Sequence, residues 1–216
     1  MTRSSGGSSC HPFILSPCHP VILSPCHPLI LPATMRYTYP ITIKHIYISP
    51  GHNYFGNRTQ TPRDHPIYDV ETVAVQAGLG LVGDRFYGKG EHFDGHITFF
   101  SWEVFQHLRQ AFDGDDWTPA ALRRNVIVEG VALNQLIGQA FTLDGIRFQG
   151  MKHCAPCRWM DVGFAPGALK FLHGRGGLRA QVLSDGVLRR GEVTLQTEIM
   201  LDQDAITQPL ARPNLP

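Results

Sequence analysis

Two cysteines three residues apart, Cys154 and Cys157, stand in a short segment that also carries two cationic side chains. Lys152 and Arg158 flank the pair, and nearby positive charge favours the thiolate, which is the nucleophilic and metal-binding form of cysteine. The spacing is compatible with a redox dithiol, with half of a zinc site, or with a reactive thiolate. Two buried, inert thiols are the structural alternative.

The first two alternatives each need further residues. A redox dithiol is expected to open a helix beside a β-α-β unit, and the sequence predicts no such unit. A zinc site needs two more ligands, for which His153 and His173 are the candidates. A reactive thiolate needs only the positive neighbours that the segment already has.

A second segment alternates glycine with arginine. Gly174, Gly176 and Gly177 surround Arg175, and Arg179 follows closely. Glycine lets backbone amides approach a ligand, while arginine offers paired donors to phosphate or a similar oxyanion. The same residues would also suit a helix end followed by a bend. A third segment, Arg123-Arg124-Asn125, would add to one anion site if the fold brings these loops together.

The elements that must position these loops are predicted to be mostly strands. Alternating apolar residues predict strands, and Asp-Gly between such runs predicts hairpins. The predicted strands are 39–48, 70–75, 96–100 and 126–128, the hairpins are 141–148 and 181–195, and the helices are 102–112, a second one starting at Pro119, and 166–173. The glycine-rich stretch 76–90 is predicted to contain no regular element. We expect a mainly β fold, closed as a barrel, with a few short helices and no parallel sheet.

Composition excludes several functional classes. The 216 residues carry 19 Lys+Arg and 18 Asp+Glu, a net charge of +1. That balance argues against a strongly basic nucleic-acid binder. No apolar run reaches the ~18 residues that a membrane span needs. We therefore expect neither a nucleic acid nor a membrane as partner.

The first 34 residues differ from the rest. They contain three Cys-His-Pro repeats that begin at Cys10, Cys18 and Cys26, and their prolines prevent a helix or a central strand. Cysteine and histidine could bind zinc there, but a disordered extension before Met35 is the simpler interpretation. The predicted organisation is an extension at 1–34, a domain at 35–200 and a loose C-terminal tail at 201–216.

Four motifs occur in one order along the domain. They are GLVGDRFYG (80–88), ALRRNVIVEGVALNQLIG (121–138), CAPCRWMD (154–161) and GRGGLRAQVLSDGVLRRGE (174–192). Together they resemble the MOSC domain, named after the C-terminal part of molybdenum cofactor sulfurases, over about residues 40–197. The chain is similar to the small stand-alone bacterial members. This resemblance implies a MOSC-like β-barrel.

The resemblance also implies site residues. Cys157 matches the cysteine that ligates molybdenum or carries sulfur as a persulfide, and Cys154 matches an accessory position. A soft thiolate suits either role. The pterin cofactor carries a phosphate, which basic residues could anchor. The expected cofactor-binding set is Arg124, Asn125, Arg175, Arg179, Asp84 and Lys152.

Two functions of different class follow from the resemblance. The first is a molybdenum cofactor-dependent reductase of N-hydroxylated small molecules, which receives electrons from a separate reductase. The alternative is a carrier of sulfur or cofactor that performs no reaction of its own and is loaded by a cysteine desulfurase. Pyridoxal phosphate would then act only in that separate enzyme. Two cysteines in the domain and no recognisable secretion signal fit a reducing cytoplasm.

Overall fold

The computed structural model describes residues 35–54, 63–90 and 92–211. The predicted N-terminal extension lies outside these residues. The strands are β1 Tyr37–Ile48, β2 Tyr68–Asp69, β3 Thr72–Gln76, β4 Gly80–Leu81, β5 Ile97–Ser101, β6 Val126–Glu129, β7 Ala140–Leu143, β8 Ile146–His153, β9 Leu178–Val182, β10 Gly186–Arg189 and β11 Gly191–Thr197. The α-helices are α1 Trp102–Ala111, α2 Trp159–Gly163 and α3 Ala168–Phe171, and the 3-10 helices are Pro119–Leu122, Leu133–Leu136 and Gln203–Ala205.

Seven strands close into a barrel in the order β11-β7-β8-β9-β5-β6-β1, because β1 also pairs with β11. The short β2 adds to the far end of β1, and β10, β3 and β4 form a separate three-stranded sheet. Alternate residues of β1, such as Ile41 and Ile43, are buried with Val193 and Leu195 of β11 in one hydrophobic cluster. The prediction of a mainly β, barrel-type fold is confirmed.

One pair of barrel strands is parallel. Phe99 of β5 is in register with Val126 of β6, and the connection between the two strands contains α1. The Ser101 side chain accepts a hydrogen bond from the Val104 amide at 3.1 Å and caps α1, the usual role of a serine that precedes a helix. The expectation that no strand-helix-strand unit occurs was wrong. A second, 3-10 helix at Pro119–Leu122 lengthens the crossover and obscures the pattern.

Only the first of the two predicted Asp-Gly hairpins forms. Asp144 and Gly145 take positive φ angles of 45° and 82° and join β7 to β8. The second prediction was wrong, because Gly186 begins β10, which pairs with β3 instead of β9. Its neighbour Asp185 accepts a hydrogen bond from the Ala77 amide at 2.8 Å, so the dipeptide connects two sheets.

The glycine-rich stretch 76–90 consists mostly of turns, but it includes the two-residue strand β4, which was not predicted. Gly80 has a φ of +106°, and a Cβ there would lie 2.8 Å from the carbonyl oxygen of His96. Glycine is therefore required where this segment crosses the start of β5.

The described part of the C-terminal tail is attached to the domain. Leu201 is buried, Arg175 Nε donates to the Thr207 carbonyl at 2.8 Å, and the Leu210 amide donates to the Gly174 carbonyl at 2.8 Å. This differs from the loose tail that the sequence suggested. Prolines and polar residues indicate irregular backbone, but they do not exclude specific contacts.

The three α-helices pack on one another and on the outside of the barrel. Phe105 and Leu108 of α1, Met160 of α2 and Leu172 after α3 belong to a second hydrophobic cluster, which reaches the barrel through Ile127. Burial of each such side chain stabilises the folded protein by about 1.5–3 kcal/mol. This packing fixes α2, and with it the segment that carries Cys157. Within the described ranges, none of the helices has the length and apolar character needed to cross a bilayer.

Candidate functional site

A cavity of about 330 Å³ opens beside the Cys-x-x-Cys segment. Both cysteines line it, together with four arginines and four aromatic side chains. The arginines are Arg85, Arg123, Arg124 and Arg179, and the aromatic residues are Tyr54, Phe86, Phe93 and Trp159. The structure therefore brings the cysteine segment together with arginines from three other segments of the chain.

The two cysteines have different environments. Cys154 is buried and Cys157 is exposed, and both are free thiols. The Cys154 amide donates to the Gly177 carbonyl at 2.8 Å, immediately after β8 ends. Cys157 lies between this anchor and α2, whose Met160 amide donates to the Cys157 carbonyl at 2.9 Å. The exposed thiol is thus held at both sides by backbone hydrogen bonds.

The glycine-arginine segment packs directly against the cysteine segment. The Gly176 amide donates to Nε2 of His153 at 2.9 Å, and a Cβ at Gly176 would lie 2.3 Å from the Cys154 carbonyl oxygen. Burial, and secondarily Arg124, lowers the pKa of His153, so the neutral ring that accepts this bond is favoured. Glycine at 176 is needed for the close approach of the two backbones.

Arg124 connects the same two segments. Its Nε donates to the Gly176 carbonyl at 2.9 Å, and its Nη2 donates to the Cys154 carbonyl at 3.0 Å. The predicted site residue Arg124 therefore does line the cavity, and it also positions the loop that carries the thiols.

Arg85 was not among the predicted site residues. It forms a buried ion pair with Asp84 at 3.3 Å, and its Nη2 donates to the Arg123 carbonyl at 3.3 Å. Its side chain is only 9% exposed, and its Nε is buried without a hydrogen-bond partner. Burial lowers the pKa of Arg85, whereas Asp84 acts to raise it. Asp84 itself is buried and does not line the cavity; it also accepts from the amides of Ser49 and Phe86.

Arg123 adopts a left-handed conformation, with φ at 59°, at the end of its 3-10 helix. Its Nη1 donates to the Tyr54 carbonyl at 3.2 Å, and its guanidinium lies over the Trp159 ring at 5.8 Å. Burial lowers the pKa of Arg123, and Arg85 adds to this effect, whereas Cys157 acts in the opposite direction. Arg123 is therefore close enough to the exposed thiol for the two groups to interact electrostatically.

Arg179 and Lys152 share one carboxylate. Asp94 pairs with Arg179 at 3.4 Å and also contacts Lys152 Nζ closely. The hydrogen bond from Lys152, with smaller effects of both positive charges, holds the pKa of Asp94 below its usual value. Of the two, both predicted to bind the cofactor, Arg179 lines the cavity and Lys152 does not.

Two further predicted residues, Asn125 and Arg175, have structural contacts instead of lining the cavity. The Asn125 carboxamide oxygen accepts from the Thr98 amide and hydroxyl, at 3.1 and 2.8 Å. Arg175 donates to the carbonyls of Thr207 and Phe171, so its guanidinium fixes the tail and α3. The residue types suggested ligand binding, but the direction in which each side chain points could not be predicted from the sequence.

The aromatic side chains form two walls. Phe86 stacks on Phe93 with ring centroids 5.5 Å apart, and Trp159 packs against Tyr54 at 5.5 Å. His52 contacts the edge of the Phe86 ring at 4.9 Å. These aromatic residues were not predicted to belong to the site. Their positions in the motifs could have indicated it, because Phe86 directly follows Gly-Asp-Arg and Trp159 lies two residues after Cys157.

The cavity has an excess of positive charge. Asp84 balances Arg85 and Asp94 is near Arg179, whereas Arg123 and Arg124 have no acidic partner among the residues that the structure describes. Among the residues with described positions, no aspartate or glutamate lines the cavity. Burial, and then Arg85 and Arg123, lower the pKa of His52, so at neutral pH this ring adds little further charge. The arrangement favours an anionic ligand with a flat, π-rich part.

The zinc alternative finds no support in the described part of the chain. That part contains no group of three or more His, Cys, Asp or Glu side chains that could hold a metal ion. His153 is engaged by the Gly176 amide, as described above. A metal in this cavity would need additional ligands from a cofactor.

A match to a family profile now complements this geometry. The profile of the MOSC domain matches residues 82–194, which is more than half of the chain. The chain belongs to the MOSC domain family. The match includes both cysteines and all four of the cavity arginines named above. The resemblance inferred from the four motifs is confirmed.

Solved structures share this fold. The YUAD protein from Bacillus subtilis is 17% identical, with a TM-score of 0.59 over 76% of this chain and 99% of that chain. YiiM from Geobacillus stearothermophilus is 22% identical, with a TM-score of 0.53 over 73% of this chain and 75% of that chain. YiiM from Escherichia coli is 15% identical, with a TM-score of 0.53 over 80% and 75%. No curated protein sequence matches the chain.

Proposed function

We propose that this MOSC protein binds the molybdenum cofactor in the arginine-lined cavity and reduces N-hydroxylated small molecules, with the Cys157 thiolate as a ligand of the metal. The single observation that carries the proposal is the placement of an exposed thiol at a cavity whose described lining contains four arginines and no carboxylate. The family, which is associated with this cofactor, supports the same conclusion.

The residues present fit such a group. A pterin cofactor combines a flat ring system, a phosphate and sulfur ligands around the metal. The stacked pair Phe86 and Phe93 offers a flat apolar wall, and Arg123 and Arg124 offer charge that no described carboxylate balances. The buried, unpartnered Nε of Arg85 is a donor that an anionic ligand would satisfy.

The chain's own residues would hold the ligand and set its environment. Arg85, Arg123, Arg124 and Arg179 would bind anionic groups, and Cys157 would supply one soft thiolate to the metal. The bound cofactor would supply two-electron redox chemistry at a site open to a small substrate. With a ligand bound, the aromatic walls would reduce the water around it, which would strengthen the charge interactions in the cavity.

The reaction sets requirements that the chain alone does not meet. Reduction of an N-hydroxylated amine to the amine consumes two electrons and two protons and releases one water. The electrons must come from a separate reductase. Cys157 is exposed, so the site can be approached from solvent.

The same exposure favours one second candidate. A sulfur carrier must present its persulfide to the active site of a desulfurase and then to an acceptor, and an exposed cysteine on a loop between two backbone anchors suits that exchange. In this case the pyridoxal phosphate belongs to the separate desulfurase.

Metal and pterin content of the full chain, purified from a molybdate-replete host, tests the first function. We expect molybdenum and pterin close to one per chain, and reduction of an N-hydroxylated test compound when an electron donor is added. Absence of both metal and pterin would contradict the proposal, and a persulfide on Cys157 in that metal-free protein would establish the carrier.

Substitution of each thiol provides the matched comparison. We expect Cys157→Ser to retain the fold but to lose the metal, because a serine hydroxyl is nearly isosteric but a poor soft ligand. Cys154→Ser should have the smaller effect on metal content, since Cys154 is buried at the Gly177 contact. Equal metal in Cys157→Ser and the parent protein would exclude the thiolate ligand.

A further inference from the structure

Two arginines are attached to the cysteine segment by direct contacts. The Arg123 guanidinium lies over the Trp159 ring at 5.8 Å, and Trp159 is two residues after Cys157. Arg124 Nη2 donates to the Cys154 carbonyl at 3.0 Å. All five residues line the same cavity. The contacts therefore place two guanidinium groups beside the segment that presents the exposed thiol.

The charge of the cavity indicates an anionic ligand. Arg123 and Arg124 have no acidic partner within the described ranges. Arg85 lines the same cavity and is 9% exposed, and its Nε is buried with no hydrogen-bond partner in the part of the chain that the structure describes. A carboxylate is the group that planar guanidinium donors bind best, and it would satisfy both the unbalanced charge and the buried donor.

The accessible thiol adds a reaction to this binding site. Cys157 is exposed and Cys154 is buried, so Cys157 is the thiol that a reagent from solvent reaches first. Positive neighbours favour the thiolate, and a thiolate reacts with a disulfide by exchange. A disulfide that carries carboxylates would thus meet its counter-charges and a nucleophile in one place.

We propose that Cys157 is a site of reversible modification by carboxylate-bearing low-molecular-weight disulfides, of which oxidised glutathione is a representative, and that the cavity arginines select these over neutral or cationic disulfides. The modification goes beyond the proposed reductase, because it needs neither metal nor electron donor. It also differs from sulfur transport, because the protein holds a whole organic thiol and passes on no sulfur atom. A metal bound through Cys157 would prevent the modification, since one sulfur cannot form both bonds.

The exchange step balances without an added oxidant. The Cys157 thiolate attacks one sulfur of the disulfide and forms a new sulfur–sulfur bond. The original bond breaks, and its electron pair leaves with the other half of the molecule as a thiolate, which takes a proton from water. Cys157 is oxidised and the departing half is reduced, so the disulfide itself is the oxidant. An excess of the reduced thiol reverses the step and restores Cys157.

The first test compares three symmetrical disulfides of different charge on the full chain, produced in a host that does not synthesise the pterin. They are dithiodiglycolate, a dianion, hydroxyethyl disulfide, which is neutral, and cystamine, a dication. Each rate is divided by the rate of the same disulfide with N-acetylcysteine amide, which corrects for the intrinsic reactivity of the disulfide. We expect the corrected rate of the dianion to exceed that of cystamine at least tenfold, because electrostatic attraction raises association rates by about 10- to 1000-fold. Added salt should reduce the difference.

The position of the modification is determined on one tryptic peptide. Cleavage after Lys152 and Arg158 releases residues 153–158, which contain both cysteines of the domain, whereas the cysteines of the N-terminal repeats lie on another peptide. After incubation with oxidised glutathione and alkylation of the remaining thiols, we expect Cys157 to gain about 305 Da, the mass of one glutathione joined by a disulfide. Cys154 should be alkylated, and dithiothreitol should remove the added mass.

Three variants connect the selectivity to the cavity. Arg123→Gln should lower the rate with dithiodiglycolate about tenfold and change the rate with hydroxyethyl disulfide less than twofold, because only the charged reagent is attracted. Arg123→Lys keeps the charge and should retain most of the rate. Arg147→Gln removes the same charge from an exposed position on β8 that does not line the cavity, and should change both rates less than twofold.

Three results would overturn the proposal. The first is equal corrected rates for dithiodiglycolate and cystamine with the folded parent protein. The second is an equal loss in Arg123→Gln and Arg147→Gln, which would make the effect one of net charge. The third is a disulfide between Cys154 and Cys157 in place of the glutathione adduct. None of these results bears on metal content, so the reductase proposal is judged by its own measurement.

Discussion

Gly176→Ala should move the cysteine segment without changing the residues that carry its chemistry. A Cβ there would lie 2.3 Å from the Cys154 carbonyl oxygen and 2.8 Å from Pro156 Cδ. Both are backbone or ring atoms that cannot rotate away. Because Gly176 is held by Arg124 and by His153, we expect the cysteine segment to move rather than the glycine.

The size of this effect follows from the contacts. Relief of the overlap requires a shift of about 1 Å, and a misplacement of that size costs about 100-fold in rate when reacting groups are involved. Overpacking costs about 1–3 kcal/mol of unfolding free energy. The smaller conformational entropy of the unfolded alanine variant offsets about 0.4–1 kcal/mol. The net loss is therefore about 1–2 kcal/mol, which leaves the protein folded.

Gly145→Ala is the matched control. Gly145 has a φ of +82° in the β7–β8 hairpin and no atom within 4 Å of an added Cβ, so alanine there costs about 1–2 kcal/mol through backbone strain alone. Urea denaturation should show similar losses of stability in both variants. Persulfide formation on Cys157 and molybdenum content should fall only in Gly176→Ala. Equal loading of the two variants would refute the reasoning that Gly176 positions the thiol.

Three further predictions concern the framework of the site. Asn125→Ala should lower the unfolding free energy by about 2–4 kcal/mol, because it removes the acceptor of the buried Thr98 amide and of the Thr98 hydroxyl proton; a loss below about 1 kcal/mol in urea denaturation would contradict this. Burial raises the pKa of Tyr47 from 10.0 to about 12, so its contribution to stability is complete below pH 10 and is lost as the pH rises through 12. Tyr47→Phe should show a smaller loss of unfolding free energy over that interval, and an unchanged slope would oppose the assignment. The hydrogen bond from Lys152 holds the pKa of Asp94 below its unfolded value of 3.8. The ionised Asp94 therefore stabilises the fold above pH 3.8, and this stabilisation is lost as the pH falls through the lower pKa of the folded state. Asp94→Asn should remove that acid-side dependence, as measured by thermal unfolding at stepwise lower pH, and an identical acid limb in both proteins would argue against it.

Local rules predicted the elements that depend on local geometry. Ser101 caps its helix, and Asp144-Gly145 turns its hairpin, because the residues needed for each are adjacent in sequence. The same Asp-Gly signal failed at Gly186. There the flanking segments find better partners elsewhere, β10 on β3 and β9 between β8 and β5, and no local pattern contains that competition.

The sequence indicated which residue types form the candidate site, but not which way the individual side chains point. The cysteines, Arg124 and Arg179 line the cavity, as the four motifs suggested. Arg175 sits in the same glycine-rich motif as Arg179, yet it points to the tail, and Arg85 was missed although it follows Asp84 directly. Whether an arginine faces the cavity depends on the position and orientation of the strand or loop that carries it. That position is set by the register of the strands in the barrel.

That register joins five strands at one level. His153 of β8 is opposite Leu178 of β9, Leu178 is opposite Phe99 of β5, Phe99 is opposite Val126 of β6, and Val126 is opposite Ile46 of β1. Four consecutive pairings thus place positions that are far apart in the chain in a single row across the barrel wall.

Three of the residues that line the cavity lie one or two positions away from this row. Cys154 follows the row directly after β8, Arg124 precedes it before β6, and Arg179 follows it on β9. This placement explains how Arg124 can bind the carbonyls of both Gly176 and Cys154. A slip of one residue in any of these pairings would turn the side chains to the opposite face of the wall. The pairing of these five strands therefore brings Cys154 to Arg124 and Arg179, and a barrel opened between any of them would lose the cavity.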